Sequence, residues 1–111
     1  MYLYKKKIEN DLYQGESFSD EITKKDDVEW EDNEIAEFKL YNTAGSTIYT
    51  GSLVRSINKL NLTFILGQTN TTSLFGVYRL LVYLSDTVTT EMNEVISEYR
   101  LNFKKTTARN D

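Results

Sequence analysis

Among side chains that move protons, attack carbonyls or hold metals, only carboxylates are plentiful in this sequence. It contains no His and no Cys. That removes the commonest general base, the commonest transition-metal ligand, the thiolate nucleophile and any disulfide framework. Ser-His-Asp and Cys-His arrangements need residues that are absent. The five glycines are scattered, and none opens a GxxxxGK[ST] phosphate loop. What remains is the cluster Asp26, Asp27, Glu29, Glu31, Asp32 and Glu34. A carboxylate pair is enough for glycoside hydrolysis, and a carboxylate loop can hold calcium. The spacing lacks the central Gly and terminal Glu of an EF-hand, so the cluster reads as a solvated acidic loop. No cofactor and no metal are expected, and the chain reads as a non-enzyme that acts by binding.

The residues suited to binding are of two kinds. Trp30 lies inside the acidic stretch and admits two readings, a core Trp at the start of a strand or an exposed interface anchor. Beside the carboxylates it could also form an aromatic platform for a carbohydrate. The eight tyrosines exceed what a core of this size needs. Tyr2, Tyr4, Tyr13, Tyr41, Tyr49 and Tyr83 are therefore candidates for outward, partner-facing positions. Basic residues form two patches, Lys5-Lys6-Lys7 and Lys104-Lys105 with Arg109. They would merge if the first and last strands lie side by side. They could dock an acidic partner or packaged nucleic acid nearby, or simply discourage edge pairing at the ends of the sheet. The candidate partner-binding set is Trp30, Tyr2, Tyr4, Tyr83, Lys104, Lys105 and Arg109.

These residues must be positioned by strands. The chain has 111 residues, the size of one domain. Alternation with period two recurs along it, and no segment keeps an i, i+3, i+4, i+7 apolar pattern over three turns. Gly15 to Thr23 reads as the first clear strand, with Phe18 and Ile22 on one face. Ile35 to Tyr41 and Thr47 to Leu53 flank the turn cluster 42–46, where Gly45 supplies the positive φ a hairpin needs. Ile48 and Tyr49 are expected on opposite faces, with Ile48 inward. Leu60, Leu62, Phe64 and Leu66 share a face. From Gly76 to Ser85, Tyr78, Leu80, Val82 and Leu84 line one side and Val77, Leu81 and Tyr83 the other. Apolar residues on both sides imply a central strand, or one whose outer face meets a partner. Val95, Ser97, Tyr99, Leu101 and Phe103 alternate to the end. The pattern predicts an all-β antiparallel sandwich of about seven strands, with a small open barrel as the alternative, a single domain over 1–103 and a flexible tail over 104–111.

A net charge of −4 argues against direct nucleic-acid binding. No apolar run reaches 18 residues, so no membrane span is expected. No apolar stretch follows the N-terminal lysines, so no secretory signal is read there. The lack of Cys fits folding in a reducing cytosol.

Several spacings, taken in order, resemble a known family. Gly15-Glu16-Ser17-Phe18 opens a strand; Phe38-Lys39-Leu40-Tyr41 leads through Gly45 into Ile48-Tyr49-Thr50-Gly51. A Thr-rich loop ends at Thr72-Ser73-Leu74, then come Gly76-Val77-Tyr78-Arg79-Leu80 and Glu98-Tyr99-Arg100-Leu101-Asn102-Phe103. This order resembles the immunoglobulin-like modules of tailed-bacteriophage virions, such as the N-terminal domain of baseplate upper proteins and small tail, neck or head accessory proteins. The resemblance implies a structural adaptor subunit, assembled in the host bacterial cytoplasm and found in the virion. Its partners would be other virion proteins in a symmetric ring or lattice. The family's apolar segment after the second strand is replaced by the acidic stretch with Trp30, and no fibre-forming domain follows. The alternatives are a soluble phage-encoded binder or inhibitor of a host protein, and a carbohydrate-binding module.

Overall fold

The structure, a computed structural model, describes residues 6–86 and 94–105. Among the described residues, eight strands run in the order β1 (Lys6–Tyr13), β2 (Phe18–Thr23), β3 (Glu34–Tyr41), β4 (Thr47–Ser52), β5 (Val54–Arg55), β6 (Asn61–Leu66), β7 (Gly76–Asp86) and β8 (Glu94–Lys104). They form a five-stranded sheet, β1-β8-β7-β3-β4, and a three-stranded sheet, β2-β6-β5. The two sheets exchange strands in the immunoglobulin-like manner, with β2 and β3 on opposite layers, β7 beside β3 and β8 beyond β7. The fold is thus an all-β sandwich, as the alternation predicted.

The core lies between the layers. Phe64 is at its centre, with ring centroids 5.1 Å from Phe38, 5.5 Å from Tyr99 and 6.0 Å from Phe18. Ile22, Leu40, Leu66, Leu80, Val82 and Leu101 are fully buried around it. Tyr99 crosses the core, and its hydroxyl donates to Asp20 Oδ2 at 2.7 Å, so one side chain of β8 ties down a residue of β2. Burial and that bond push the Tyr99 phenol well above the usual tyrosine range.

Four features differ from the sequence reading. The first is a strand the alternation did not reveal. β1 pairs with β8 in parallel, Ile8 opposite Tyr99 and Leu12 opposite Phe103, so the sheet is not wholly antiparallel and the count is eight. Its inward row is Ile8, Asn10 and Leu12, and the exposed Asn10 interrupts the apolar signal. The first and last strands do lie side by side, but the parallel register keeps the basic patches apart. Lys6 pairs with Ser97 and Tyr13 with Lys104, a separation of about 23 Å along the strand at about 3.3 Å per residue.

The second is a β-bulge in β8. Val82 faces Ser97 but Tyr83 faces Val95. The extra residue, Ile96, turns inward to full burial, and Val95 moves to the other face. A second register shift in β4 pairs Leu40 with Tyr49 and Tyr41 with Thr47. Ile48 is the extra residue there and stays 41% exposed, while Tyr49 packs on the core. The third is Trp30, 0% exposed, for which the core reading holds and the interface-anchor reading does not. Its backbone N–H donates to Lys59 O at 2.8 Å, which pins the loop over the end of the core. The fourth is the C-terminal boundary. β8 takes in Lys104, whose carbonyl accepts from Gln14 N–H at 2.9 Å.

Candidate docking face

One of the expected residues, Tyr83, lies with Tyr41, Arg79 and Arg100 on the outer face of the five-stranded sheet. Because successive residues of a strand point to opposite sides, β7 presents Tyr78, Leu80, Val82 and Leu84 to the core and Val77, Arg79, Leu81 and Tyr83 to the outside. Ladder register then sets their neighbours. Lys39 and Tyr41 of β3 lie opposite Leu81 and Arg79. Glu98, Arg100 and Asn102 of β8 lie opposite Leu81, Arg79 and Val77. The result is an open groove of about 640 Å³, lined among others by Tyr41, Val77, Arg79, Leu81, Tyr83 and Arg100.

The Tyr41 and Tyr83 hydroxyls share a hydrogen bond of 2.8 Å across two strands. Burial, and then the bond from Tyr41, push the Tyr83 phenol up to about 12. Lys39 Nζ lies 5.6 Å from the centre of the Tyr83 ring, within cation–π reach. Leu81 is only 8% exposed although it points away from the core. Arg79 Nε is 3.6 Å from Glu98 Oε2. An apolar floor ringed by Tyr and Arg is the composition of a protein-recognition hot spot.

The expected residues divide among several places. Tyr83 is in the groove. Lys104 and Lys105 are exposed at the end where β7 begins. Lys104 Nζ is 3.4 Å from Asp11 Oδ2, and Lys105 Nζ stands 5.5 Å over the Phe75 ring. Phe75 is 58% exposed, and Tyr13, which pairs with Lys104, is 53% exposed, so this corner is aromatic as well as basic. Trp30 is not a partner anchor. Its indole fills the core beneath Lys24, whose Nζ is 4.9 Å from the ring. With Trp30 buried, the aromatic platform a carbohydrate module would need is missing from the acidic loop. Tyr2, Tyr4 and Arg109 lie outside the described residues.

The acidic stretch behaves as a solvated loop. Asp26, Asp27, Glu29, Glu31 and Asp32 are exposed. Arg55 Nη2 meets Asp32 Oδ1 at 2.8 Å, and Lys24 Nζ meets Glu34 Oε1 at 2.7 Å. No group of three or more acidic side chains among the described residues is arranged to hold a metal ion.

Sequence reasoning passed over Arg79 and Arg100. The signal for Arg79 was present, since a lone cation interrupts an otherwise apolar outer row, Val77, Leu81 and Tyr83. Arg100 carried no such mark, because its neighbours on β8 are polar.

No family model matches the chain, and no curated protein matches it. Among solved structures, the chain is similar to the fibronectin(III)-like modules of Clostridium thermocellum CbhA. The TM-score is 0.48, the identity 13%, and the match covers 89% of each chain.

Proposed function

We propose that this chain is a protein-docking module whose working surface is the outer face of the five-stranded sheet. The observation that carries this reading is the groove over β3, β7 and β8, where a nearly hidden Leu81 is framed by the bonded Tyr41–Tyr83 pair and by Arg79. Core packing gives no reason for a hidden leucine with two tyrosines and an arginine on the outside of a sheet, whereas binding surfaces concentrate tyrosine and arginine. The finer reading, that the module is an accessory subunit of a bacteriophage tail, neck or head, is supported by the order of the strand motifs from Gly15 to Phe103.

The experiment is mass spectrometry of purified particles, with copy number per virion, for the wild-type chain and for a Tyr41→Ala/Tyr83→Ala double variant. Incorporation of the wild type at a fixed copy number, with loss of the folded double variant, is the expected result. A wild-type chain found only in infected-cell extract overturns the virion assignment and favours the inhibitor alternative. Equal incorporation of the variant overturns the choice of face.

A further inference from the structure

Resting on the docking reading, we infer that Arg79 and Arg100 form a carboxylate-binding pair. Their occupant is the acidic segment 26–32 of a second copy, so that copies join head to tail. The carrying observation is a like-charge pair. Arg79 and Arg100 are direct cross-strand partners on the outer face of β7 and β8, an arrangement that opposes pairing unless something neutralises it. Local neutralisation is incomplete. Arg79 Nε stands 3.6 Å from Glu98 Oε2, beyond hydrogen-bond reach, and the Arg79 side chain is 57% exposed. Arg100 makes no ion pair with another described residue, although Glu9 lies opposite it in the register. Two arginines paired on adjacent strands, lining one groove with Tyr41, Val77 and Leu81, suit bidentate carboxylate recognition.

The chain itself carries the complementary charge. Asp26, Asp27, Glu29 and Glu31 are exposed and make no ion pair among the described residues. The whole chain is acidic, at −4, so carboxylates are in surplus. A molecule does not lay this segment on its own groove, because Trp30 in its middle is buried and its N–H is bonded to Lys59 O. The segment leads into Glu34, which pairs with Asp86. Asp86 is seven residues beyond Arg79, about 23 Å along β7 at about 3.3 Å per residue. Site and occupant are therefore different surfaces, and contact between copies is heterologous. Such contacts close into rings or run on as filaments.

The test is sedimentation velocity on the full chain. The wild type is expected to form concentration-dependent oligomers in low salt that dissolve in about 1 M salt, where charges are screened within about 3 Å. Two variants isolate the partners: Arg79→Gln/Arg100→Gln in the groove, and Asp26→Asn/Asp27→Asn/Glu29→Gln/Glu31→Gln in the segment. Both should keep the wild-type circular dichroism and each alone should be monomeric, with association weakened at least tenfold. An equimolar mixture should form a complex that stops at one copy of each, because only one intact contact remains. A wild type that is monomeric at every concentration in low salt overturns the inference, as does a groove variant that still assembles or a mixture that stays monomeric. If the wild type is monomeric while the Tyr41→Ala/Tyr83→Ala variant is lost from particles, the head-to-tail contact falls and the docking face stands.

Discussion

The two sides of β7 use similar residues for different ends. Inward, Leu80 and Val82 are 0% exposed and belong to the apolar core between the layers. Outward, Leu81 is almost as hidden, yet its ladder neighbours are Lys39 and Glu98. Burial alone does not separate the sides. What separates them is whether the apolar residues form a continuous interior or are interleaved with groups that must reach a partner. The first arrangement should govern stability and the second association.

That contrast is broken most directly on the inner side. Leu80→Ala should lower unfolding stability by about 2–5 kcal/mol, because the emptied site cannot fully collapse; urea denaturation reads it, and an unchanged midpoint would make the inner row dispensable. Gly51→Ala should cost about 1–3 kcal/mol by the opposite fault, overpacking. A Cβ there would lie 2.6 Å from the Phe38 ring, so wild-type thermal stability in this variant would show that the core yields. Tyr99→Phe should cost about 1–2 kcal/mol through loss of the bond to Asp20, measured by the same denaturation. On the outer side, Arg79→Ala and Arg100→Ala should each change stability by no more than about 0.5 kcal/mol. A large loss in either would make the arginines structural and erase the distinction between the sides.

Alkaline pH sharpens the contrast further. Folding favours the neutral form of Tyr83, whose phenol is raised from 10 to about 12. The contribution is whole below pH 10 and is lost as pH rises through about 12. Wild type should therefore lose stability over that interval, and Tyr83→Phe should lose less. Denaturation midpoints for both proteins at about pH 9 and about pH 11.5 measure the difference. Parallel losses would mean the Tyr41–Tyr83 bond does not favour the neutral phenol.

Much of the sandwich was legible because its strands keep strict alternation. The rows Leu62-Phe64-Leu66 and Tyr78-Leu80-Val82-Leu84 face inward as their spacing demands. Alternation fails where geometry inserts a residue. Nothing local marks Ile96 as the bulge that exchanges with Val95, since both are β-branched and apolar. β1 was illegible because half its pairing information lies in β8, some ninety positions away. The groove was only partly legible for the same reason. Tyr83 stood out by type, but its company of Tyr41, Arg79 and Arg100 is created by register between distant strands. Trp30 shows the limit of neighbourhood as a guide: five exposed carboxylates surround it in sequence, yet one indole outweighs them and fills the end of the core.

The parallel alignment of β1 with β8 has a mechanical meaning. A pull on Lys6 against Lys104 draws the two strands lengthwise past each other, because both run the same way. Every rung of the ladder from Lys6–Ser97 to Tyr13–Lys104 is then loaded at once and cannot be peeled open in turn. Rupture under tension is a matter of rate, and this geometry resists it: tethered at its two ends, the module would hold as a clasp.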